Sequence, residues 1–185
     1  MTGLIILAII VAVVGYAIFL YNDLVKKRQL VEEGWSGIDV QLKRRTDLIP
    51  NLLETVKGYM GHERETLEAV TNARAAATAG ANAGPEERAK LEGALSGALG
   101  RLLAIAEAYP DLKANTTFLE FQQALQTVED ELQLSRRYYN GAARDLNIAV
   151  ESFPSVVIAN AFKFEQAEFF ELENEADRAV PSVKF

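Results

Sequence analysis

At 185 residues, 49% hydrophobic and 24% charged, the chain has room for one domain, is too apolar for a disordered tail and too charged for a multi-pass membrane protein. Cysteine is absent and histidine occurs once, which excludes disulfides, thiolate zinc sites and thiol catalysis and removes most imidazole chemistry. A formal net charge of −7 argues against sequence-independent attraction to nucleic acid or to an anionic lipid surface.

From Gly3 to Tyr21 the chain carries no charge. At ~1.5 Å per residue such a helix is about 28 Å long, against a hydrocarbon core of ~30 Å. Its apolar surface comes from Leu4, Ile5, Ile6, Leu7, Ile9, Ile10, Val11, Val13, Val14, Ile18, Phe19 and Leu20, and Tyr16, Phe19 and Tyr21 sit where amphipathic rings favour an interface. No basic region precedes the run and no small-residue cleavage site follows it, so residues 1–21 read as a retained transmembrane anchor and not as a cleaved signal. Lys26, Lys27 and Arg28 follow directly, and the positive-inside rule places the N-terminus outside and the domain of residues 22–185 in the cytoplasm.

Beyond the anchor, apolar residues recur in alternating steps of four and three. Val31, Trp35, Ile38, Leu42, Arg45, Ile49, Leu52, Val56 and Tyr59 predict a long helix over 22–79 that offers one seam. Pro50 lies inside it, removing a hydrogen bond and crowding the carbonyl four residues back, so a kink or short break is expected there. Residues 80–84 read as a turn, and Pro85 with Glu86 and Glu87 opens a helix over 85–109 whose seam runs through Leu91, Leu95, Ala98, Leu102 and Ile105. A third helix is expected over 117–153. Thr117 and Glu120 have the spacing of a capping box before it, and Phe121, Leu125, Val128, Leu132, Tyr139, Ala142, Leu146, Ala149 and Phe153 continue the three-four alternation. Shorter helices over 155–180, ending near Pro181, complete the chain. No period-2 pattern persists, so the expected fold class is all-α: a single N-terminal transmembrane helix followed by an antiparallel bundle of three to four long helices.

The residues also resemble a known family. Tyr21-Asn22, Leu24-Val25, Trp35, Asp39-Val40-Gln41-Leu42-Lys43-Arg44-Arg45, Asp47-Leu48-Ile49-Pro50-Asn51-Leu52, Tyr109-Pro110-Asp111-Leu112-Lys113-Ala114, Tyr139-Asn140, Phe153-Pro154-Ser155 and the terminal Pro181, Val183 and Phe185 match the LemA pattern in order. Two departures are mild: Leu146 precedes Asn147 where the family tends to repeat Tyr-Asn, and Gly34 precedes Trp35 where Ala is usual. The resemblance implies a prokaryotic inner-membrane protein with one membrane segment and a helical bundle, no established enzymatic activity, and links to membrane-associated stress or proteolysis systems.

Candidate sites are few. A di-iron bundle needs two Glu-x-x-His motifs, and His62 is the sole histidine, preceded by Tyr59 at the required spacing. His62-Glu63 likewise falls short of H-E-x-x-H, because Thr66 stands at the second ligand position. No cofactor, metal or small-molecule substrate is indicated. Arg45 falls on the seam and, if buried, needs a partner; Asp47 lies on the wrong face, so a carboxylate from another helix is expected. Asn140 and Asn147 share a face and read, with Arg45, as a structural polar seam. Phe162, Phe164, Phe169, Phe170 and Phe185 read either as side chains that close the end of the bundle or as a candidate protein-contact surface; for the latter, Glu165, Glu168, Glu171 and Glu173 accompany them where a lipid-surface helix carries Lys and Arg. The expected role is a non-enzymatic membrane scaffold that forms homo-oligomers and organises other membrane proteins. The alternative is an adaptor that presents clients to a membrane protease or stress-response system.

Overall fold

The computed structural model describes residues 1–171. Six α-helices account for the fold: α1 (Thr2–Lys57), α2 (Arg64–Ala79), α3 (Pro85–Ala106), α4 (Pro110–Lys113), α5 (Thr116–Glu151) and α6 (Ser155–Ala161), with a 3₁₀ turn over Gly80–Asn82. No strand occurs among the described residues, and the class is all-α. The four long helices are α1, α2, α3 and α5. The chain packs as two units, one formed by residues 1–37 and 135–169, the other by residues 38–134 with Phe170 and Glu171.

The expected helix over 22–79 is in fact two, and Pro50 does not break it. Proline lacks the N–H that would bond the Thr46 carbonyl. That carbonyl instead accepts a hydrogen bond from Arg74 Nε of α2 at 2.9 Å, so the helix continues through Pro50 to Lys57. The interruption lies at 58–63, where Gly58 and Gly61 weaken helix propensity and Met60 is wholly buried. Tyr59 N and Met60 N both bond the Val56 carbonyl, at 3.0 and 2.9 Å, closing the turn.

In the second unit the core gathers Ile49, Leu52 and Val56 of α1, Val70 and Ala77 of α2, Leu95, Leu99, Leu102 and Ala106 of α3, Leu112 of α4, and Phe118 and Phe121 of α5, with Met60 from the α1–α2 connection. α3 stops at Ala106, three residues before the expected 109, and Pro110 starts the single turn of α4. The N-cap of α5 is Asn115, whose Oδ1 accepts from Phe118 N at 3.1 Å while its Nδ2 donates to Tyr59 Oη. Thr117 therefore lies inside the helix, and the capping-box reading is corrected: the asparagine two residues earlier takes the orphan N–H.

In the first unit Leu24 of α1 packs with Leu146 and Val150 of α5, Ala159 of α6 and Phe164. α5 ends at Glu151, so Phe153, expected on the seam, is exposed. The Phe153–Pro154 peptide is cis. α6 ends in a left-handed cap: Lys163 has φ 56°, Phe164 N bonds the Ala159 carbonyl at 2.9 Å, and Lys163 N reaches that of Asn160 at 3.4 Å. After this cap the chain is non-helical to Glu171, where the sequence pattern predicts further helix. Side chains of α5 hold its backbone: Tyr139 Oη donates to the Glu168 carbonyl at 2.7 Å, and Asn147 forms bonds of 2.9 and 2.7 Å with the Ala167 carbonyl and N–H. The remainder of the expected 155–180 helices, Pro181 and Phe185 lie outside the described residues.

Candidate functional site

A buried charge cluster is the most polar place in the second unit. Arg45, on the seam of α1, is 1% exposed and Glu92 of α3 is fully buried. Arg45 Nη2 pairs with Glu92 Oε2 and also donates to the Glu92 carbonyl at 3.3 Å. Its Nη1 donates to Ser96 Oγ at 2.8 Å and to Glu129 Oε2 of α5 at 3.3 Å. Arg88, one turn before Glu92, donates through Nε to Glu92 Oε1 at 3.2 Å, reaches Asp39 Oδ1 at 3.4 Å through Nη2, and donates from Nη1 to the Gly80 carbonyl at 3.2 Å. Two guanidinium groups thus share one buried carboxylate, with Glu129 and Asp39 at the partly exposed edge. Burial of each charge is offset by ionic partners and hydrogen bonds, as the low-dielectric interior requires.

A cavity of about 390 Å³ opens beside this cluster. Arg45, Ser96, Glu129 and Gln126 form its polar side, and Leu99, Leu103 and Leu125 its apolar side. Arg45 Nε finds no acceptor among the described residues. Arg45 and Arg88 act here as hydrogen-bond donors to carboxylates, a hydroxyl and backbone carbonyls. The chemistry on display is charge neutralisation between α1, α3 and α5.

The other expected polar positions lie in the first unit. Asn147 clasps Ala167, as described, and Asn140 is half-buried. Tyr139 is 3% exposed; burial first, then the charge of Glu168, push its phenol up to about 12. Of the five phenylalanines read as a contact surface, Phe164 and Phe170 are buried, which removes them from any exposed face: Phe164 closes the core around Leu24. Phe162 and Phe169 are exposed, and Phe185 is outside the described residues. The Phe162 ring packs tilted against that of Tyr21, with centres 4.8 Å apart; Tyr21 also meets Phe164 edge-on at 5.8 Å, and the Arg28 guanidinium lies 5.3 Å from the Phe164 ring centre.

His62 is exposed, and no group of three or more potential ligands converges among the described residues. Leu4 to Phe19 are solvent-exposed throughout their large apolar side chains, so the N-terminal stretch of α1 is long and apolar enough to cross a membrane and takes no part in either core. Glu92 and Arg88 are the residues that sequence reasoning passed over. Their signal was present: Glu92 continues the three-four spacing of Leu95, Leu99, Leu102 and Ala106, and Arg88 stands four residues before it.

The sequence model of the LemA family matches residues 34–185, a span that holds the charge cluster, both clasps and the whole of α2 to α6. The chain belongs to the LemA family. Among its relatives, Magnetosome protein MamQ 2 of Paramagnetospirillum magneticum is 25% identical across 92% of this chain and 72% of its own length. Protein LemA of Metamycoplasma hominis is also 25% identical, across 85% of this chain and 74% of its own. Magnetosome protein MamQ of Magnetospirillum gryphiswaldense is 23% identical across 92% and 72%. The family match begins after the apolar stretch, so family membership rests on the packed helices.

Proposed function

We propose that this LemA-family chain is a non-enzymatic, membrane-anchored scaffold that self-associates and organises other membrane proteins. The observation that carries the reading is the continuity of α1: one helix of 56 residues exposes its large apolar side chains from Leu4 through Phe19 and enters a packed core at Leu24. An exposed apolar rod is unfavourable in water and favourable in a bilayer. Lys26, Lys27 and Arg28 favour a cytoplasmic position for the packed helices, in the inner membrane of a prokaryote. Self-association is supported by Gly3, Ala8, Ala12, Gly15 and Ala17 in the anchor, where small side chains let helices approach closely. In such a molecule the buried ions fix the register of α1, α3 and α5 and make a rigid body of the part that meets partners.

Native mass spectrometry of the chain in mild detergent, beside a version that starts at Asn22, tests this. A discrete oligomer is expected for the former, and its persistence in the latter locates the contacts in the packed helices. Monomers in both samples reject self-assembly.

A further inference from the structure

We propose that Phe153, Val157 and Phe162 form a second membrane contact, seated in the headgroup–acyl boundary of the leaflet where α1 leaves the bilayer. The inference rests on α1 spanning the membrane and adds what meets the lipid beside it. The uncharged run of α1 ends at Tyr21, and its length of about 28 Å puts Tyr21 at the edge of the hydrocarbon. The Phe162 ring lies 4.8 Å from that of Tyr21, so Phe162 stands at the same depth. Leu24, less than one turn further on, is fully buried against Ala159 and Phe164, so the packed helices of this unit reach up to the boundary.

The end so placed is not dressed for water. α6 turns Ala159 into the core and leaves Val157 59% exposed; Phe162 is 60% and Phe153 84% exposed. These large apolar side chains occur within ten residues on one short hairpin between α5 and the Lys163 cap. Their exposure is held in place: Ser155 Oγ donates to the Ala149 carbonyl at 2.6 Å, and the Lys163 turn returns Phe164 N to Ala159. Lys26, Arg28 and Lys163 supply cations at the level of lipid phosphates, while Glu165 and Glu151 temper their sum. The acidic residues that suggested a protein partner therefore limit selectivity for anionic lipid, whereas insertion of aromatic rings at the boundary needs no net charge.

The chain has no cysteine, so single cysteines report cleanly. Ile10→Cys, Phe153→Cys, Phe162→Cys and Leu119→Cys, each on an exposed side chain, are labelled with an environment-sensitive fluorophore and placed in phosphatidylcholine nanodiscs. Quenching is read with a nitroxide attached shallowly to the acyl chain and with aqueous iodide. Labels at 10, 153 and 162 should lose most of their fluorescence to the lipid nitroxide and little to iodide, with Leu119 the reverse. If the label at 10 meets lipid while either hairpin label behaves like Leu119, the second contact is rejected and the anchor stands. Hairpin labels shielded from both quenchers would reject it in favour of a protein cover. A label at 10 that meets only iodide removes the anchor, and the inference with it.

Discussion

The two packed units satisfy their buried polar atoms by different means. In the unit of residues 1–37 and 135–169, neutral side chains of α5 bond an irregular segment: Tyr139 takes the Glu168 carbonyl and Asn147 takes both polar groups of Ala167. In the other unit, full charges are buried, with Arg45 and Arg88 sharing Glu92. The difference decides how each responds to damage. A neutral clasp that is lost exposes one or two hydrogen-bonding atoms to repair by water, at about 1–3 kcal/mol. A buried ion that loses its counter-charge has no comparable escape.

The sharpest test of this contrast is Glu92→Ala, which leaves two guanidinium groups facing each other without their shared carboxylate. A loss of about 3–5 kcal/mol is expected from urea unfolding followed by circular dichroism. Replacing Arg45, Arg88 and Glu92 together with Met, Met and Leu should recover most of that loss, because the desolvation cost of all three charges disappears with them. If Glu92→Ala costs under about 1 kcal/mol, the cluster is not closed to water and the comparison between the units fails.

On the neutral side, Tyr139→Phe removes one hydrogen bond, worth about 1 kcal/mol near neutrality. It also removes a pH dependence. The phenol ionises near 10.0 when unfolded and at about 12 when folded, because burial and then Glu168 oppose its charge. The folded chain therefore keeps a proton that the unfolded chain has released. The stability it contributes is whole below pH 10 and declines as pH rises through about 12, by about 3 kcal/mol across the interval. Urea midpoints at pH 9 to 12 should fall more steeply for the unaltered chain than for Tyr139→Phe. Parallel declines would mean that Tyr139 is hydrated when folded.

Much of the fold was legible because seams repeat. Ile38, Leu42, Arg45, Ile49, Leu52 and Val56 are all buried, as the spacing requires of a helix packed along one face. On α3 the buried stripe lies one residue beyond part of the predicted seam: Leu91, Ala98 and Ile105 are only half-buried, while Glu92, Leu99 and Ala106 are inside. An Ala- and Leu-rich helix presents two similar apolar stripes, and a charged residue read alone argues for solvent. On α5 burial drifts from Ala142 and Ala149 to Ala143 and Val150, the drift that a 3.6-residue helix shows against a 3.5-residue pattern. Arg45 was legible as a cation in need of a partner. That partner is 47 residues away in sequence, and nothing local identifies it. The segment after α6 departs from the predicted helix because Asn147 and Tyr139 hold its backbone, contacts that periodicity does not encode.

The smallest effect separates two glycines on α1. Glycine inside a helix costs up to about 1 kcal/mol relative to alanine, so Gly→Ala should stabilise wherever a methyl fits. At Gly37 it fits: a Cβ there meets only Ser135, at 3.8 Å, and Gly37→Ala should gain about 0.5–1 kcal/mol. At Gly34, one turn earlier and one of the departures from the family pattern, a Cβ would lie 3.0 Å from Tyr139 Cα and 3.1 Å from Tyr138 Cδ1. The nearer atom is backbone and cannot swing aside, so α1 and α5 must part and carry the Trp35–Tyr139 ring contact at 5.5 Å with them. Overpacking of this kind costs about 1–3 kcal/mol, which outweighs the propensity gain and predicts a net loss of about 1 kcal/mol. Opposite signs for the two alanines in thermal unfolding would fix Gly34 as the point that sets the spacing of these helices. A gain at both would show that the pair separates at little cost, and that the Tyr139 clasp is held by the Glu168 carbonyl alone.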